Sequence, residues 1–169
     1  MNDDVFIAVQ ENLDQVKERG ILAYVGEDWG QLDYFESRPP VAMPCALYDI
    51  GQVDFSERGQ KTQQALGIVN IRIADYKPVN VSSGSPDRYK PLGMYAILRE
   101  VYKALQGLGC ETFSALTRTR CSRVTRDDGV REYVMSFSFG YVDNYAIRKW
   151  QRVTVPVRIR VNGKEESPG

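Results

Sequence analysis

The stretch "LTRTRCSRVTRDDGVREYVMSFSFGYVD", residues 116–143, decides the fold. Its second half alternates without a break. Tyr133, Met135, Phe137, Phe139 and Tyr141 fall on one side, with Val134, Ser136, Ser138 and Gly140 on the other. Period-two alternation of large apolar and small residues is the mark of a strand with one face against a core. The spacing predicts a strand over residues 113–125, a turn at "RDDGV" and a strand over residues 131–142. Asp128-Gly129 is a favoured hairpin-turn pair, which makes Asp127 and Asp128 turn formers rather than a carboxylate pair for catalysis.

Upstream of this hairpin, "PLGMYAILREVYKAL" has an apolar stripe at helical spacing: Leu92, Tyr95, Ala96, Val101, Tyr102 and Leu105. Pro91 suits the first turn of that helix and Gly107 or Gly109 its end. The preceding segment, residues 77–91, is dense in Pro, Ser and Gly and reads as a loop. Before it, residues 45–55 and "KTQQALGIVNIRIADY" form a second long hairpin around the turn "SERGQ". Val69, Ile71 and Ile73 share one face of the returning strand, with Leu66 and Ile68 on the other, so both faces are expected to be partly covered. Three prolines, Pro39, Pro40 and Pro44, precede the first strand of this hairpin. Lacking an N–H and with φ fixed, they hold an extended loop and let pairing begin at Cys45.

At the N-terminal end, Asp3 or Asp4 caps a helix whose apolar positions are Val5, Phe6, Val9, Leu13 and Val16, stopped by Gly20. "ILAYV", residues 21–25, is a short strand. At the other end, Val153, Val155, Val157, Ile159 and Val161 alternate with Thr154, Pro156, Arg158 and Arg160. A mid-strand proline marks this as an edge strand or arm, which adds to a sheet edge in its own subunit or in a neighbour. The expected class is α+β: a mainly antiparallel sheet of long hairpins with two helices packed on one face. Residues 1–143 form one domain, residues 144–161 its terminal strand or arm, and residues 162–169 a frayed tail.

A chain of 169 residues, 43% hydrophobic and 26% charged, suits one soluble domain. Its formal net charge is zero, which removes bulk attraction to DNA or an anionic membrane. No run is long enough to span a bilayer, and the acidic N-terminus lacks a signal-peptide pattern, so the expectation is cytoplasmic synthesis. Within the zero, the first sixty residues are acidic and residues 118–160 are basic, patches that pair inside the fold or between copies. Cys45, Cys110 and Cys121 have no CxxC spacing and read as buried free thiols.

The chain contains no histidine. That excludes the commonest general base and metal ligand, and every Ser-His or Cys-His nucleophile. No phosphate-loop, dinucleotide or zinc motif is present, so no cofactor or metal is expected and catalysis is not. A carboxylate site built on Glu27, Asp28 and Asp33 beside Trp29 requires those groups gathered in a cleft. An alternative is a nucleic-acid module, with Arg118 and Arg120 on one strand face, Arg158 and Arg160 on another, and Tyr141, Tyr145 and Trp150 near in sequence.

The order of elements resembles the tail terminator (tail completion) proteins of long-tailed bacteriophages and prophages. The resemblance lies in an N-terminal helix, the strand "PPVAMPCALYDI" with its "P-x-x-x-Y" run from Pro44 to Tyr48, the strand "QQALGIVNIRIADY", the helix "PLGMYAILREVYKAL" and the hairpin quoted first. It covers roughly residues 3–143; the segment from residue 144 to 161 is longer than that pattern. The resemblance implies a non-enzymatic virion part: a ring, usually a hexamer, on the head-proximal end of the tail tube, joining tube to head connector or neck. It implies assembly in the host cytoplasm, with DNA met only as it passes through the ring. Arg38, Pro39, Pro40, Arg118, Arg120, Arg158 and Arg160 make up the expected interaction surface.

Overall fold

A computed structural model describes residues 3–33 and 41–147, and the backbone of residues 160–161 and 164–165. The fold is α+β. Its elements run α1 (Asp3–Glu18), β1 (Tyr24–Glu27), β2 (Cys45–Gly59), β3 (Thr62–Tyr76), α2 (Leu92–Leu105), β4 (Thr117–Val124) and β5 (Val130–Asp143). Two further short strands, β6 (Arg160–Val161) and β7 (Lys164–Glu165), pair only with each other. The main sheet has the order β1-β2-β3-β5-β4. Every neighbouring pair is antiparallel except β1 with β2.

Both helices lie on one face of this sheet. Val5, Val9, Leu13 and Val16 of α1 and Met94, Leu98, Val101 and Leu105 of α2 are buried in one cluster. Facing them are Ala46 and Tyr48 of β2, Val69, Ile71 and Ile73 of β3, and the five alternating residues of β5 from Tyr133 to Tyr141. Each large apolar side chain buried here stabilises the fold by about 1.5–3 kcal/mol. The Phe6 ring tilts against Tyr48 with centroids 4.8 Å apart, and the Tyr48 hydroxyl donates to Gln10 on α1. Burial, helped by nearby Glu27 and Asp14, pushes the Tyr48 phenol up to about 12.

Several expectations are corrected. The α2 stripe is rotated: Leu92 and Tyr95 are exposed, while Met94 and Leu98 are buried. Tyr95 instead lies beside Arg131, whose guanidinium is 5.1 Å from its ring centre and also donates to the Pro91 carbonyl. The first strand starts at Tyr24 rather than residue 21, because the chain leaves α1 through Gly20 (φ 75°) and meets the Pro44 carbonyl first, at Ala23. The hairpin between β2 and β3 turns only at the last residue of "SERGQ" and the one after it. Both strands run on to a two-residue turn, Gln60-Lys61, with φ 53° and 62°. Positive φ at both centres matches the twist of the strands. The turn expected at "RDDGV" is there, as a five-residue connection over residues 125–129, although Gly129 is not among the positive-φ glycines. Leu66 is 62% exposed and Ile68 37%, so the second face of β3 is open there rather than partly covered. Finally, only Cys45 is buried. Cys110, in the turn after α2, and Cys121, on the edge strand β4, are exposed.

Candidate functional site

Among the described residues, the face opposite the helices is covered at one end only. There Leu32, Val41, Cys45, Leu47, Ala74 and Val130 form a second, small core. Residues 28–33 lie over it, and a charged cluster fixes them. Arg72 of β3 reaches Asp33 at 2.6 Å, Glu132 at 2.7 Å and Asp28 at 3.2 Å. Arg126 reaches the other Glu132 oxygen at 2.7 Å, Asp128 at 2.5 Å and the Leu32 carbonyl at 2.6 Å. Glu132 is thus clamped by two arginines while only 1% exposed. The carboxylates around Arg72 raise its pKa, as those around Arg126 raise its own, so both stay charged. A hydrogen bond from Arg126 holds the Asp128 carboxyl below its ordinary value, helped by the Val130 N–H. Lys77 reinforces the same corner by donating to the carbonyls of Arg126 and Asp128.

This arrangement answers the carboxylate reading. Asp28 and Asp33 do converge, but on a guanidinium, so they are spent as an ion-pair latch. Glu27 is exposed and stands apart; its carbonyl accepts from Gln31 at 2.7 Å. Among the described residues no group of three His, Cys, Asp or Glu is placed to hold a metal ion. None of the described helices is long and apolar enough to cross a membrane. Cys45 is no nucleophile either, because burial pushes its thiol up to about 12. The partner of the acidic first third, Arg72, comes from mid-chain, and Arg126 bonds acids of its own third.

Arg118 and Arg120 do not share a face. Arg118 pairs in register with Phe137 and Arg120 with Ser136, so one extra residue, Thr119, bulges between them. A bulge inverts the alternation that follows it. Arg118 lies on the helical side, 3.9 Å from the centre of the Tyr102 ring. Arg120 lies on the open side, in a groove with Ile68, Asn70, Thr119 and Ser136. The strand-face arginine pair is therefore undone. Arg38, Pro39, Pro40 and Arg158 lie outside the described residues, as does the apolar stripe of residues 153–159. Arg160 is described in backbone only, paired with Glu165.

Two features were missed by reading the sequence. One is the latch, whose signal was present: Arg72 and Glu132 lie on neighbouring strands at diagonal positions, Arg72 opposite Val134 and Glu132 opposite Ala74. The other is the pair of open sheet edges. β1 covers β2 only from Cys45 to Tyr48, with Asp28 donating to the Tyr48 carbonyl at 2.8 Å, and no described strand pairs with that side from Asp49 onward. At the far side of the sheet, β5 is the one described strand that pairs with β4.

No family model matches the chain, nor does any curated protein. Among solved structures it is similar to a chain from the virion of a native gene transfer agent (GTA) particle. The two share 13% identity with a TM-score of 0.44, over 70% of this chain and 78% of the other.

Proposed function

We propose that the chain is a non-enzymatic structural protein of a phage-type virion, of the tail-terminator kind: a ring that caps the head-proximal end of the tail tube and meets the head connector. The observation that carries this reading is the element order. A helix, a long hairpin whose first strand begins after Pro44, a second helix and a second long hairpin follow one another as in the resemblance, and the hairpins join in one sheet. The spent carboxylates of the latch and the lack of histidine support a part made for contact rather than catalysis. The nucleic-acid alternative loses one of its two arginine pairs once Arg118 and Arg120 part to opposite faces. Such a protein assembles in the host cytoplasm and ends in the virion.

The reading is tested by mixing the purified chain with phage tail tubes and imaging them in negative stain. Ring caps at one end of the tubes, with growth arrested there, are expected. Bare tubes that go on lengthening overturn the reading.

A further inference from the structure

We infer that copies of this chain join edge to edge, the open edge of β4 in one copy pairing antiparallel with the open edge of β2 in the next. This rests on the ring reading and gives that ring its interface. A strand edge with unpaired N–H and C=O groups is a template for another strand. Among the described residues no strand pairs with the outer side of β2 over residues 49–59 or with the outer side of β4, and β2 is exposed from Gly51 onward apart from half-buried Val53. On β4, the Arg118 N–H is already taken by the Gln106 side chain at 2.9 Å, which leaves residues 119–124.

Charge selects which edges meet. The free run of β2 carries Asp49, Asp54 and Glu57 against Arg58 alone. β4 carries Arg118, Arg120 and Arg123 and no acid. Pairing β2 with β2, or β4 with β4, sets like charges opposite each other, which is destabilising. Pairing β2 with β4 sets opposite charges together. The two-fold dimers that usually close off sheet edges are thus disfavoured, and the join is head to tail.

Direction agrees with charge. Each step from β2 through β3 and β5 to β4 is antiparallel, so β2 and β4 run in opposite directions. A rotation about an axis along the strands keeps all helices on one side of the joined sheet. It also brings β4 beside the next β2 in antiparallel sense. The same join covers Phe55, which is 47% exposed on the β2 edge strand. A heterologous contact of this kind closes into a ring when the rotation divides a full turn.

The test uses the full chain and native mass spectrometry across a concentration series. One variant reverses β4 (Arg120→Glu with Arg123→Glu), the other reverses β2 (Asp54→Lys with Glu57→Lys). All four side chains are exposed and outside the latch, and unchanged circular dichroism confirms folding. The wild type is expected as an oligomer, and each variant as a 19.2 kDa monomer, with assembly pushed at least tenfold higher in concentration. Mixing the two variants is expected to restore assembly with even numbers of copies. If the wild type assembles and both variants keep its size, the edge inference is overturned while the ring reading stands. Variants that dissociate but stay monomeric when mixed overturn the pairing of opposite edges. A wild type that is monomeric at every concentration, alone and with tail tubes, overturns the ring and the edge join together.

Discussion

The two faces of the sheet are held by different physics. Under the helices, Val5, Leu13, Ile71, Met135 and Phe137 make a continuous apolar layer with no exposed area. On the opposite face, the described cover stops after the small core of Leu32, Cys45, Leu47 and Val130, and an ion-pair cluster fixes that core in place. Hydrophobic burial is non-directional, so it makes the first face strong without dictating one arrangement. The latch is directional. Two guanidinium forks on one carboxylate place residues 28–33 in a single position, and no described residue covers the sheet beyond that clamp. The larger apolar core therefore lies on one face, and the directional contacts on the second.

The largest effects come from breaking each face in its own way. Phe137→Ala is expected to cost about 3–5 kcal/mol by opening a cavity under the helices. Glu132→Ala is expected to cost about 1–3 kcal/mol for a different reason, since two half-buried guanidinium groups lose their shared partner. Urea unfolding measures both, and hydrogen exchange separates them. Only Glu132→Ala should free the amides of residues 28–33. Replacing Glu132, Arg72 and Arg126 together by apolar residues should recover most of the loss in stability. If Glu132→Ala is harmless, the clamp is an ornament of the surface.

How far the sequence told this apart is instructive. Period-two alternation exposed the helical face of β5 residue by residue, because a strand against a core leaves a pattern of large and small side chains. It failed at Thr119, where one bulged residue inverts the alternation and separates Arg118 from Arg120. Spacing alone carries no record of a bulge. The turn signals told only part. Asp128 is a turn former, accepting from the Val130 N–H, but its carboxylate also serves Arg126. Gln60-Lys61 makes the tight turn without any glycine at its centres, held by the long pairing on either side. The latch was legible in part, as Asp28 and Asp33; their partner Arg72 lies far along the chain, and distance in sequence hid it. The open edges follow from the sheet order, which no local pattern encodes.

A smaller effect sharpens the helical face. A Cβ at Gly67 would stand 2.4 Å from the tip of the Phe139 ring, which stacks on Tyr141 with centroids 6.1 Å apart. Gly67→Ala should cost about 1–3 kcal/mol, read as a lower urea midpoint. An unchanged midpoint would mean that the ring swings aside at no cost.

The thiols give a graded readout of cover. Near neutral pH, iodoacetamide followed by mass spectrometry should label Cys110 fastest, because hydrogen bonds from the Thr112 hydroxyl and backbone N–H lower its pKa. Exposed Cys121 should follow, and Cys45 should react only on unfolding. Labelling of Cys45 in the folded chain would show that the small core opens readily.

Acid supplies the mildest probe of the latch. The folded pKa of Asp128 lies below its ordinary 3.8, so its stabilising contribution is present above that value and is lost as pH falls through the lower, folded one. Comparing the wild type with Asp128→Asn should show this slope only in the wild type. Equal slopes would remove Asp128 from the latch.

The most direct test of the account is hydrogen exchange on the chain alone and in its assembled form. Amides of β3 under the helices should be protected in both states. Amides on the outer side of residues 49–59 and 119–124 should exchange quickly in the dispersed chain and become at least tenfold slower on assembly. Edges that exchange at the same rate in both states would contradict the claim that the open side of this sheet is its working surface.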